Sequence, residues 1–163
     1  MPFTRRTLLK LIPLTLLIQW PWRGAFAATG FKTTLAVFLD TLMPADETPA
    51  ASELGIDQAL LERAAADDRY ERLIRNGCGL LDRVSQRAYA RDFSELDEAQ
   101  RIRIVEFFER QGPRTLARAF FRSVRDDLFE LYYSQPQSWP GLGMDRPPQP
   151  AGYMDYQRPP GHG

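Results

Sequence analysis

Apolar residues recur along this chain with the period of a helix. Phe31, Leu35, Phe38, Leu39 and Leu42 fall on one face of an amphipathic helix, which Pro44 stops. Ala45 to Ser52 is polar and contains proline, which predicts a loop. A short helix is expected from about Ile56 to Ala66, with Leu60 and Leu61 inward. Asp68, with Glu71 three residues on, has the spacing of a capping box. Behind it Tyr70, Leu73, Ile74, Gly77, Leu80, Leu81 and Val84 form an apolar stripe to about Ala90.

Asp97 and Gln100 open a fourth helix carrying Ile102, Val105 and Phe108, with Ile104 and Phe107 beside them, and Gln111-Gly112-Pro113 closes it. The fifth runs from about Arg114 to Tyr133, with Leu116, Phe120, Phe121, Val124, Leu128, Leu131 and Tyr132 on one side. Its other face, with Arg118, Arg122, Arg125, Asp126 and Glu130, is expected to be solvated and ion-paired. No β alternation competes, so the fold class is all-α, a small bundle of about five helices. Two glycines flank Cys78 inside the third stripe and cost helix stability, which close packing against a neighbouring helix would offset.

The ends of the chain differ from its middle. Thr4-Arg5-Arg6-Thr7-Leu8-Leu9-Lys10 precedes a short apolar run and then Ala25-Phe26-Ala27, the order of an export signal with its cleavage site. The pair Arg5 and Arg6, with Lys10 after the leucines, favours the twin-arginine route over an ordinary secretory signal. Pro13, Gln19, Pro21 and Arg23 break the apolar run before the roughly 20 residues of a membrane span. The expected organisation is a signal peptide at 1–27, a helical domain at 28–133 and an extended proline-rich segment at 134–163. That last segment carries seven prolines, so a sixth helix is excluded. Its large apolar groups, Trp139, Leu142, Met144, Tyr153 and Tyr156, favour docking on the bundle or another subunit over a disordered tail.

Charge and chemistry narrow the function. The full chain has 21 basic and 21 acidic residues. Loss of Arg5, Arg6, Lys10 and Arg23 with the signal leaves 17 against 21, a net −4, which argues against nucleic acid as a partner. Cys78 is the only cysteine and His162 the only histidine, so no haem, iron–sulfur or zinc motif can be assembled. Cys78 is expected to be a small buried hydrophobe rather than a nucleophile or an intermolecular disulfide partner. Acidic doublets such as Asp67-Asp68 and Asp126-Asp127 are expected on solvated helix surfaces. No catalytic residue, cofactor site or metal site is expected in this chain. The twin-arginine route carries folded proteins, so escort of a folded, cofactor-loaded partner best explains a leader without a cofactor motif. Two alternatives stand: a free-standing helical binding protein, and an autonomous enzyme whose cleft joins Asp40 or Asp46 with Asp127.

Three stretches carry a family likeness. The run from Thr34 to Ala51, centred on Met43-Pro44-Ala45-Asp46, resembles the opening of the gluconate 2-dehydrogenase subunit 3 family. Phe93 to Arg101 is similar to that family's middle segment. Leu131-Tyr132-Tyr133-Ser134-Gln135-Pro136, with Trp139, Leu142-Gly143 and Pro150-Ala151-Gly152-Tyr153, resembles its end. Ala50-Ala51 departs from the family's usual Gly-Ala, and Met144 stands where tyrosine is common. The resemblance implies a non-catalytic subunit that assists maturation and export of an FAD-carrying dehydrogenase subunit acting on a sugar or sugar acid. It also implies a periplasmic complex, held at the inner membrane in many cases by a c-type cytochrome subunit. On that view the tail is an interaction strap, with Trp139, Tyr153 and Tyr156 as anchors.

Overall fold

A computed structural model describes residues 22–144 and 146, with the backbone alone for 22–29. Arg5, Arg6, Tyr153 and Tyr156 therefore lie outside the described residues or side chains. Among the described residues five α-helices follow one another: α1 (Trp22–Leu42), α2 (Ile56–Ala65), α3 (Asp68–Tyr89), α4 (Glu98–Glu109) and α5 (Leu116–Tyr133). Single 3-10 turns occur at Phe93–Glu95, Pro136–Ser138 and Pro140–Leu142, and no strand occurs among the described residues. The chain is an all-α bundle.

α3 is the central element, packing on α5, α1 and α2, while α4 closes the bundle against α5 and α1. The core is aromatic. Phe38 of α1 is fully buried, with ring centroids of Phe120 and Phe121 of α5 at 5.0 and 6.5 Å and of Phe93 at 6.4 Å. Phe108 of α4 meets Phe120 edge-on at 6.3 Å. Tilted and edge-on pairs at these separations add to the gain from area burial. The expected apolar stripes of α1, α3 and α5 thus point at one another. At Gly77 α3 packs tightly on α5, because a Cβ there would collide with the Phe120 side chain. The expected close packing holds at Gly77 and not at Gly79, whose nearest neighbour would be the flexible end of Arg83.

Several boundaries and faces differ from expectation. The cap of α3 is Asp67 rather than Asp68: its carboxylate accepts from the backbone N–H groups of Arg69 at 2.8 Å and Tyr70 at 3.3 Å. Glu71 pairs instead with Arg75 one turn on. At α4 the expected capping box of Asp97 and Gln100 is formed in both directions. α4 touches the bundle along one stripe, Ile104, Val105 and Phe108, which leaves Ile102 and Phe107 exposed. Leu116, expected inward, is also exposed, because Thr115 caps α5 there and the core face starts at Ala117. The proline-rich segment is not extended over its described part. Pro136 and Pro140, with φ preset, each begin a 3-10 turn.

Asp82 ties three elements together. Its carboxylate accepts from the Thr34 hydroxyl of α1 at 3.1 Å and from the Phe93 backbone N–H at 3.2 Å. Burial outweighs these donors and raises its pKa above the ordinary value of 3.8. A carboxyl that holds its proton more tightly in the folded chain adds stability as pH falls through its folded pKa. That gain is complete below the unfolded value and is lost as pH rises again. Asp82→Asn removes the contribution, so wild type should gain on the variant between pH 7 and pH 4. Urea titrations across that range check it, and a pH-independent difference would show that Asp82 does not titrate as placed.

Cys78 is fully buried and unpaired in α3. Burial, and then the nearby Asp82 carboxylate, push its thiol pKa up, so the thiolate that disulfide exchange needs is disfavoured.

Candidate functional site

The described parts of the three stretches that carry the family likeness lie far apart in sequence but meet around one loop, Pro44 to Ala51. The loop is fixed from its own ends first. Asp40, in the last turns of α1, accepts from the Ser52 backbone N–H and hydroxyl, both at 2.8 Å. The Ala51 N–H bonds to the Met43 carbonyl at 3.1 Å. Asp46 accepts from the Thr48 backbone N–H at 3.0 Å, the two-residue closure that makes aspartate a turn former. Gly55 then adopts φ +70, a left-handed conformation that costs a residue without a Cβ little, and caps the start of α2.

α5 holds the loop from the other side. Tyr132 is buried, and its hydroxyl donates to the Pro49 carbonyl at 2.8 Å and lies 2.8 Å from Thr48 Oγ1. Gln135 donates to the Leu54 carbonyl at 3.2 Å. Gly141 leaves room for the Thr48 methyl. These contacts bind the opening loop to the end segment.

Two notches flank Pro44. The first, about 150 Å³, lies between the loop and the end of α5, with Asp46, Glu47, Tyr133, Ser138 and Leu142 among its lining. The second, about 300 Å³, joins Asp40, Thr41, Pro44 and Ala45 to Glu98 and Arg101 of the middle segment. Arg101 has a buried Nε that finds no acceptor. Beside the first notch the surface is apolar: Phe129 and Tyr133 are each 40 % exposed and Leu142 is 50 % exposed. Phe129 and Tyr133 stack edge-on at 6.1 Å, one turn apart on α5.

Trp139, expected as an anchor, is only half-exposed, and its indole N–H donates to the Tyr133 carbonyl at 3.0 Å. It holds the 3-10 turns against the helix end. Phe129 and Tyr133 were not singled out from the sequence. Their signal was an i, i+4 aromatic pair lying off the apolar stripe that the core uses.

Two acids of α5 are engaged across the bundle. Asp127 and Glu130 of α5 take Arg63 of α2, at 2.6 and 3.0 Å. That pairing lowers the Glu130 pKa, through the Arg63 hydrogen bond first, and raises that of Arg63. The buried Tyr70 hydroxyl has no partner at hydrogen-bonding geometry, and burial, with Asp127 next, pushes its pKa up. Neither described notch at the loop reaches Asp127, so the cleft expected of an autonomous enzyme, joining Asp40 or Asp46 with Asp127, is not formed there. A wider cleft of about 580 Å³ between α3 and α5 presents Arg69, Arg72, Asn76 and Ser123 to solvent. Among the described residues no three His, Cys, Asp or Glu side chains converge as a metal requires, and no helix is long and apolar enough to cross a membrane.

Comparison with known proteins agrees with this geometry. No curated protein and no solved structure matches the chain. The sequence model of the family described as gluconate 2-dehydrogenase subunit 3 matches residues 32–141, from Lys32 in α1 into the last 3-10 turn, which takes in the first two stretches whole and the third as far as Trp139. The chain belongs to the gluconate 2-dehydrogenase subunit 3 family.

Proposed function

We propose that this chain is the non-catalytic small subunit of a periplasmic, FAD-dependent sugar or sugar-acid dehydrogenase. It escorts the folded flavoprotein subunit through the twin-arginine route and stays bound to it. The dehydrogenase chemistry and the FAD belong to the partner. A c-type cytochrome as third subunit would supply electron transfer and attachment to the inner membrane. The single observation that carries this reading is the convergence at Pro44. A family-typical loop, middle segment and end build one face there, with Phe129, Tyr133 and Leu142 exposed beside it. Exposed aromatic and aliphatic groups clustered at a rigid helix end are what an interface core is made of. Tyr153 and Tyr156, which lie outside the described residues, are further anchor candidates for the partner.

Co-expression tests the reading. The flavoprotein subunit should reach the periplasm in active form with this chain and fail to do so without it. Unchanged periplasmic flavoprotein activity in its absence would refute the escort role. Joint replacement of Phe129 and Tyr133 by alanine should weaken co-purification by about tenfold or more, since interface aromatics commonly contribute over ~1 kcal/mol each. The thermal midpoint of the isolated chain should stay nearly unchanged, because both side chains are exposed.

A further inference from the structure

We propose that the turn joining α4 to α5, with Phe107 and Leu116 beside it, docks on a bilayer surface that carries anionic phospholipid headgroups. Charge is segregated along the chain. Residues 33–62 hold six acidic residues and no basic one, whereas residues 101–125 hold seven arginines and two glutamates. On α4 Arg103, Phe107 and Arg110 are spaced four and three residues apart, so they form one outward stripe, and all three are exposed. Glu106 pairs with Arg110, and Asp126 takes Arg122 and Arg125 further along α5. That leaves Arg103, Arg114 and Arg118 against Glu109 around the turn. A second observation is independent of charge. Phe107, in the last turn of α4, is 48 % exposed, and Leu116, the first residue of α5, is 38 % exposed. Apolar side chains set among arginines suit an interfacial segment, in which they enter the acyl boundary while the guanidinium groups hold phosphates.

Shape agrees. Residues 112–116 are all exposed, so the turn projects from the bundle. It is held in one form: the Thr115 N–H and hydroxyl donate to the Gly112 carbonyl at 3.1 and 2.8 Å, and Gln111 donates to the Phe107 carbonyl at 3.0 Å. Arg118 donates to the Glu109 carbonyl, which binds the start of α5 to the end of α4. A projecting turn of this size offers far less than the roughly 800 Å² per partner that a stable protein interface buries, whereas a bilayer needs only a few side chains to enter. Nucleic acid would satisfy the arginines but has no apolar layer for Phe107 and Leu116. The contact is interfacial, since no described helix is long and apolar enough to cross a membrane. Position also leaves this surface free. α5 is 18 residues long, so its start lies roughly 25 Å from Tyr133 and the face at Pro44. A complex formed at that face can touch the bilayer with this turn.

A fluorophore in the turn provides the test. Gly112 is exposed with open space around it, and Cys78 is buried, so Gly112→Cys can be labelled selectively with a polarity-sensitive dye. The label reports this turn alone, whatever the rest of the full chain does at a membrane. The labelled full chain would be titrated with phosphatidylcholine vesicles, with and without phosphatidylglycerol. Its emission should shift to the blue only where phosphatidylglycerol is present. Arg103→Gln combined with Arg114→Gln should weaken the interaction about tenfold or more, since each arginine near an anionic surface contributes about fivefold. That loss should shrink at high salt. Phe107→Ser should make the shift smaller, because less of the turn enters the acyl boundary. Unchanged thermal midpoints would show that the variants fold. No shift, an equal shift without phosphatidylglycerol, or equal titrations by the parent and the double arginine variant would each overturn the proposal. A shift caused by the flavoprotein subunit and by no vesicle would assign the turn to a protein partner, and the proposal falls. None of these outcomes bears on the escort role, which the face at Pro44 carries.

Discussion

Replacing Phe38 with alanine is expected to cost about 3–5 kcal/mol of folding stability, the range for deletion of a fully buried aromatic side chain. Phe38 has no exposed surface, and its ring is the meeting point of α1, α5 and the Phe93 turn. Phe120 is enclosed on the far side by Phe108 of α4, so the rings around Phe38 have little freedom to collapse into the space it leaves. Against a total stability of about 5–15 kcal/mol for a small domain, the loss would remove a large share. The thermal midpoint should fall by roughly 10 °C or more, and the urea midpoint should fall with little change in slope. Phe107→Ala, next to the core residue Phe108 but about half exposed, is the control and should cost less than about 1 kcal/mol. Equal losses at the two positions would mean that the aromatic core is not arranged as described.

The second large effect separates two glycines that sequence alone treats as equivalent. Gly77→Ala should destabilise the protein, and Gly79→Ala should leave it unchanged or stabilise it by up to about 1 kcal/mol. Each substitution gains the same helix propensity, about 1 kcal/mol. At Gly79 that gain meets only the movable end of Arg83. At Gly77 the new methyl strikes the Phe120 side chain near its root, where rotation cannot carry it away, and Phe38 and Phe108 hold the ring from both sides. Overpacking of this kind costs about 1–3 kcal/mol and occasionally more, so the balance turns unfavourable, and Gly77→Leu should be worse still. Thermal unfolding of the three variants gives the comparison. Adding Phe120→Leu to Gly77→Ala should recover part of the loss, a coupling expected only of residues in contact. A stabilising Gly77→Ala would rule out the close approach of α3 and α5.

Much of the bundle was legible because helix-forming signals are local. The stripes from Phe31 to Leu42, from Tyr70 to Val84 and from Phe120 to Tyr132 repeat with the helix period and point at the core. Asp97 and Gln100 announced the start of α4, and Pro44 and Gly112-Pro113 the ends of α1 and α4. Less was legible where one pattern serves two partners. Ile102, Phe107 and Leu116 look as apolar as their buried neighbours, and only the position of α4 and the cap at Thr115 leaves them outside. The pairing of Arg63 with Asp127 and Glu130 spans more than sixty residues and has no spacing rule to reveal it.

The sequence by itself determined the class of fold, the stops and caps of its helices, and a family likeness spread over three separate stretches, because periodicity, proline and capping chemistry act within a few residues. Only the tertiary structure decided that those stretches share one face about Pro44, that Tyr132 bolts the loop to α5, and that Phe129 and Tyr133 rather than Trp139 stand open beside it. Which side of a helix meets water depends on where every other helix lies, and that arrangement is settled by packing across the whole chain rather than by any segment of it.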